Sequence, residues 1–216
     1  MKIPRNATLQ KRISKWGKGD KLTLKVLNTI QSKGTWLNLA AGDGRYIPEL
    51  LKKVDKLIAS DIDKKGLFNL SKSVPRGGKK KVKIKLFDIT KTFPFKNKSF
   101  DGILCTGTLH LFSKEMLKFV FDEIDRILKP KGNIIIDFAT DIKRTCPDGK
   151  VIKLQKTPRY RISDVRRFLK MLLRNYKVKI YKSKFADDLS RNPKYGFITK
   201  GNFVLLMAEK KASRNL

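Results

Sequence analysis

Acidic residues are the scarce class in this chain of 216 residues. Only 19 Asp and Glu stand against 51 Lys and Arg, and glutamate occurs only at Glu49, Glu115, Glu123 and Glu209. Self-repulsion from a formal net charge of +32 opposes compaction and calls for an anionic partner, RNA or DNA before an acidic membrane surface. The alternative source is a Lys-rich proteome, which heat-adapted and AT-rich genomes both favour, although a heat-adapted surface usually raises glutamate alongside lysine. Cysteine is also nearly missing. Cys105 and Cys146 lie far apart with no C-x-x-C spacing, which argues against a structural zinc site or a disulfide framework and fits a reducing compartment. No apolar run approaches the roughly 20 residues of a membrane span. The opening MKIPRNATLQKR has no apolar core of a secretory signal. These absences point to a cytoplasmic protein that does not enter a membrane.

What is present suffices for a folded domain: 40% of residues are hydrophobic and 9% aromatic. Residues 1–19 read as a basic arm, 20–210 as one domain and 211–216 as a tail. Asp20 caps a helix over about 21–32, with Leu24, Leu27 and Ile30 as its apolar stripe. Strands and helices then alternate. Strands are expected at 36–40, 57–60, 82–87, 99–105 and 133–138, and helices near 44–53 and 64–73. Ser113 caps a helix whose Leu117, Val120, Phe121, Ile124 and Leu128 recur at helical spacing, ending at Pro130. Residues 140–160 read as a long basic loop. Ser163 is expected to cap a helix whose outer face carries Arg166, Arg167, Lys170 and Arg174. Two final strands are expected at 178–181 and 203–207. This alternation implies a doubly wound α/β fold with a mostly parallel sheet.

In such sheets ligands bind at the carboxyl ends of the strands, where strand order reverses. The first strand runs into Ala40-Ala41-Gly42-Asp43-Gly44, whose glycines let the backbone approach a ligand. The second ends at Asp61, 17 residues after Gly44, close to the spacing of a ribose-binding carboxylate. The third ends at Asp88, placed to accept an N–H from an adenine amino group. Glycines also end strands and carboxylates also cap helices. The ordered set carries the reading, because all three fall at consecutive strand ends.

The chain resembles the class I S-adenosylmethionine (SAM)-dependent methyltransferases. LNLAAGDGRY (37–46) resembles their first motif and LIASDID (57–63) their acidic second. The more specific KLFDITKTFPFKNKSFDGILCTGTLHLF (85–112) resembles the segment after that, and LKPKGNIIIDF (128–138) the turn into the fifth strand. The resemblance implies a seven-stranded sheet whose last strand is antiparallel, with SAM as cofactor. Gly42 and Gly44, with Asn38 and Ala40, would face its methionine part. Asp61 and Ile62 would hold the ribose, Asp88 and Ile89 the adenine, and Thr106 and Gly107 would line the pocket near the sulfonium. The family commonly carries an acid at position 38 and a glycine at position 40. Here Asn38 keeps an acceptor without the charge, and Ala40 permits the turn if its φ stays negative.

No catalytic residue is demanded, since SAM carries an activated methyl group and the protein orients it. The N/D-P-P-Y/F tetrapeptide of exocyclic-amine methylation and the Pro-Cys of pyrimidine carbon-5 methylation are both missing. Cys105 therefore reads as a core thiol, Tyr46 as core, His110 as a weak candidate base and Trp16 as a lid candidate. No metal site is expected. The acceptor is read from charge. Basic zones at Lys11–Lys18, at Lys79, Lys80 and Lys81, and along Arg166, Arg167, Lys170 and Arg174 suit a phosphate backbone, with Tyr160 and Tyr195 near them to stack on bases. RNA is the expected partner. A protein or small-molecule acceptor, and a non-catalytic nucleic-acid-binding protein of the same fold, are the alternatives.

Overall fold

Local signals set most of the elements. The Asp20 carboxylate accepts the N–H groups of Leu22 at 2.9 Å and Thr23 at 3.0 Å, opening α1 (Lys21–Thr29). The chain continues through β1 (Thr35–Leu39), α2 (Ile47–Leu51), β2 (Lys56–Asp61), α3 (Lys64–Ser73), β3 (Val82–Leu86) and β4 (Phe100–Cys105). Then come α4 (Lys114–Ile127), β5 (Leu128–Thr145), β6 (Val151–Ile152), α5 (Ile162–Leu172), β7 (Tyr176–Leu189) and β8 (Phe197–Lys210). The structure, a computed structural model, describes residues 19–30, 33–152, 158–189 and 196–212. Most of the basic arm, Trp16 included, and Tyr195 lie outside them.

The strands form one sheet in the order β3-β2-β1-β4-β5-β8-β7, with β6 paired to β5 off that path. β3, β2, β1, β4 and β5 are mutually parallel, and β8 runs antiparallel between β5 and β7. Strand order reverses between β1 and β4, so the crevice sits at their carboxyl ends. One face buries α1, α2 and α3 against Trp36, Leu57, Ala59, Leu104, Ile135 and Leu205. The other buries α4 and α5 against Leu37, Leu39, Ile103, Ile134, Ile136, Val204 and Leu206. Consecutive residues of β4, β5 and β8 thus serve opposite faces, the mark of a sheet covered on both sides.

Three expectations need correction. The sheet has eight strands rather than seven, because 140–160 is not all loop: β5 runs on to Thr145, and β6 pairs with its end. Backbone pairing with β8 carries this polar extension, and hydropathy gives no sign of it. The helix expected near 44–53 is only Ile47–Leu51, because Pro48 stands in its first turn. In α5 the N-cap is Arg161 rather than Ser163, and Ser163 turns its hydroxyl toward Asp164.

β1 and β4 meet closely. Trp36 pairs in register with Gly102, and a Cβ on Gly102 would overlap the buried Trp36 indole. Gly102→Ala should cost about 1–3 kcal/mol through overpacking. Chemical denaturation of the variant should show a lower midpoint at unchanged slope.

Candidate functional site

The turn after β1 is bound to β2. The Gly42 N–H donates to Asp61 Oδ2 at 2.7 Å, and the Ala41 N–H to the Ser60 carbonyl at 2.7 Å. Asp61 Oδ1 accepts the Asp63 N–H at 2.9 Å, and Asp63 in turn caps α3. A carboxylate offers about four acceptor positions, so among the described residues about two on Asp61 remain for ligand hydroxyls. Gly42 and Gly44 stand at φ +56° and +90°, and a Cβ on Gly44 would press on Leu70 and Ile47. Beside Asp61, Ile62 is 67% exposed and offers an apolar surface at the crevice edge.

Ala40 overturns the expectation of a negative φ, standing at +53° in the left-handed region. There its Cβ crowds the backbone, a strain glycine lacks. Asn38 is buried in β1, and its carbonyl accepts the Ser60 hydroxyl.

Asp88 follows β3 and folds back on Thr90. Its Oδ1 accepts the Thr90 N–H at 2.9 Å and hydroxyl at 2.7 Å, and these bonds hold its pKa below the usual carboxylate range. Oδ2 makes no hydrogen bond among the described residues. It is left to accept an external N–H. Ile89 is buried in the core, so its side chain packs inward. The segment is anchored below, where Glu123 accepts the Phe93 N–H at 2.6 Å and pairs with Arg126 at 2.7 Å. Arg126 also donates to the Phe93 and Phe95 carbonyls, and Phe87 packs on both rings.

Past β4, Thr106 is half-buried and Gly107 exposed at φ +69°. The Gly107 N–H donates to Asp137 Oδ1 at 2.6 Å. Asp137 is the residue that sequence reasoning passed over. Its one signal was an acid inside the apolar run of β5. It is 2% exposed, and burial pushes its pKa up to about 7, opposed by the Gly107 bond and by Arg45. The Arg45 guanidinium lies near the Gly107 loop, so the β1 and β4 turns converge.

His110 follows in a short 3₁₀ turn (Leu109–Leu111), and its Nδ1 is buried without a hydrogen-bond partner among the described residues. Burial and Arg144 push its pKa down to about 4, so the ring is neutral at physiological pH. Cys105 is fully buried, and burial with Asp137 and Asp61 raises its pKa well above the usual thiol value, as a core thiol requires. Tyr46 is core as well, its hydroxyl accepting the Asp20 N–H at 2.9 Å. Tyr160 is not available for stacking: it is buried, its hydroxyl donates to the Phe112 carbonyl at 2.6 Å, and its ring stands edge-on to Phe138. No cluster of metal-ligating side chains occurs among the described residues.

The basic residues divide by place. Lys79, Lys80 and Lys81 precede β3, at the amino end of the sheet and opposite the crevice. Arg166, Arg167, Lys170 and Arg174 are exposed on and just after α5. None of the described helices is long and apolar enough to cross a membrane.

Residues 37–136 match the model of a family described as a methyltransferase domain. No curated protein matches the sequence. Among solved structures, YcgJ from Bacillus subtilis is 15% identical with a TM-score of 0.62, covering 89% of this chain and 97% of that one. DhpI in complex with SAH is 18% identical with a TM-score of 0.57, over 88% and 82% of the two chains. An S-adenosylmethionine-dependent methyltransferase from Mesorhizobium loti is 12% identical with a TM-score of 0.61, over 88% and 96%. At these identities the likeness is one of fold.

Two outcomes follow from the geometry. Ala40→Gly should relieve the left-handed strain and raise stability by about 0.5–1 kcal/mol, read by denaturant titration. Asp137 carries a folded pKa of about 7 against an ordinary value of 3.8. Between those values the folded state holds a proton the unfolded chain has lost, so this group's contribution to stability falls as pH rises through the window. Asp137→Asn removes that loss. Melting curves across the window should show the variant gaining on the wild type as pH rises.

Proposed function

We propose that the chain is a SAM-dependent methyltransferase and that it transfers the methyl group of SAM to RNA; it has the fold of its solved neighbours, and residues 37–136 match the model of a methyltransferase domain. The observation that carries the SAM reading is the convergence of three strand ends. The Gly42–Gly44 turn is hydrogen-bonded to Asp61, and Asp88 stands at the next strand end with one oxygen unpaired among the described residues. These groups fit the ligand's chemistry. Asp61 accepts from ribose hydroxyls, Asp88 Oδ2 from the adenine amino group, and Ile62 covers an apolar ring face. When bound, SAM supplies a methyl carbon already activated by its sulfonium. The chain contributes orientation: Asp137 and Arg45 hold the β1 and β4 turns around the reacting end.

The RNA reading rests on charge. The net charge of +32 leaves exposed lysines and arginines without enough carboxylates to balance them. Arg166, Arg167, Lys170 and Arg174 make one such basic strip along α5, and Lys79, Lys80 and Lys81 another at the sheet's far end. Contacts of this kind are sequence-independent and release counterions, so binding is steeply salt-sensitive.

Isothermal calorimetry tests the first part. Asp61→Asn and Asp88→Asn should each weaken SAM binding about 10- to 100-fold, the size of a lost charged hydrogen bond. Filter binding with tRNA at rising salt tests the second. A steep fall in affinity supports RNA, and a flat response argues for a protein or small-molecule acceptor. RNA binding without SAM binding would instead mark a non-catalytic protein of this fold.

A further inference from the structure

Beside the crevice lies a cavity of about 490 Å³, within the roughly 300–1,000 Å³ of pockets that enclose a small ligand. It adjoins the site through β5. Asp137 holds Gly107, and Ala139 and Thr140, just beyond it, line the cavity together with His110. Its lining is strongly unbalanced in charge. Lys143, Arg144, Arg159 and Arg161 face one carboxylate, Asp141. Asp141 Oδ2 is already committed, accepting from the Thr140 hydroxyl at 3.0 Å, the Ile162 N–H at 3.2 Å and the Asn202 amide at 2.8 Å. Among the described residues none of the four cations forms an ion pair. Arg144 is half-buried, 5.9 Å from the Phe197 ring centre, and burial lowers its pKa. A desolvated cation without a counter-charge is costly, and an entering anion removes that cost. On the same wall His110, the single histidine of the chain, keeps a buried nitrogen without a hydrogen-bond partner among the described residues.

We propose, resting on the methyltransferase reading, that this cavity is the acceptor pocket for a phosphate-bearing group. The phosphate lies among Lys143, Arg144, Arg159 and Arg161, and His110 takes the proton that the acceptor's nucleophile gives up. The nucleophile's lone pair forms the bond to the methyl carbon as the carbon–sulfur bond breaks, its electron pair staying on sulfur. The nucleophile's proton ends on the His110 ring and passes to water. The bound phosphate also offsets the field of Arg144, so His110 becomes a stronger base only while the acceptor is present. Asp141, Lys143, Arg159, Arg161 and the Tyr160 hydroxyl are the other charged or titratable groups lining the cavity, and the Tyr160 hydroxyl is held by Phe112.

Because His110 is the single histidine, its ring resonances are unambiguous by NMR in the full chain without a histidine tag. Inorganic phosphate, added at constant ionic strength, should move its titration midpoint upward from about 4 by the part that Arg144 contributes, with the part due to burial remaining. In Arg144→Ala the midpoint of the free protein should already lie higher, and phosphate should move it less. The paired Arg159→Ala and Arg161→Ala variant, at exposed positions that leave the core intact, should need about tenfold more phosphate for the same response. A wild-type midpoint indifferent to phosphate, or a response equal in both variants, overturns the proposal. Repeating the titration with 5′-mononucleotides and with a single-stranded RNA oligomer assigns the phosphate's source. Response at lower oligomer concentration points to a strand, and equal response to a free phosphate ester. With total RNA or mononucleotides and tritiated SAM, His110→Asn should lower kcat about 100-fold, while calorimetric SAM affinity stays unchanged. An unchanged kcat removes the proton-acceptor role. Failure of the wild type to bind SAM overturns the methyltransferase reading, while the phosphate titration still decides the pocket.

Discussion

The hydrogen bond from the Gly42 N–H to Asp61 Oδ2 is the constraint on which the site depends. It ties the turn after β1 to the end of β2, two strands already locked in parallel register from Thr35–Lys56 to Asn38–Ala59. The bond places a glycine backbone and a carboxylate side by side at the strand ends. A turn held this way is set before a ligand arrives, which lowers the ordering cost of binding. The strained φ of Ala40 belongs to the same arrangement, since the chain must bend sharply there to bring Gly42 over Asp61.

A second tie closes the other side of the crevice. Asp137 is buried within the sheet, yet its carboxyl accepts the Gly107 N–H and feels the Arg45 charge. An acid in that position is costly to ionise, and its worth is positional: it fixes the loop after β4 against the turn after β1. The β4 loop then leads directly into the turn that carries His110, so the crevice and the neighbouring cavity share one wall. The excess of cations becomes local at this point. Four of them line a single cavity whose one carboxylate already serves three backbone and side-chain donors.

The alternation of strands and helices, the caps at Asp20 and Ser113, and the ordered Gly42–Gly44, Asp61 and Asp88 were legible in sequence. Each is written in short-range chemistry: hydrophobic period, a capping side chain, a glycine at a turn. The polar half of β5 was not legible, because its pairing comes from backbone groups of β8, more than 50 residues away, and the two-residue β6 was not, because it pairs only with that extension. Tyr160 read as an exposed aromatic in a basic loop, and the fold instead turns it against Phe138. Composition of a segment says nothing about which of its residues the chain folds inward.

The sequence by itself determined the layer order of the fold and which residue types stand at the strand ends, since both follow from local patterning and right-handed crossovers. Only the tertiary structure decided that Ala40 is left-handed, that Asp137 holds Gly107 and is raised toward neutrality, and that Lys143, Arg144, Arg159 and Arg161 share one cavity with His110. These depend on distances between residues far apart in the chain. Burial and electrostatic fields are set by those distances, and no pattern along the sequence carries them.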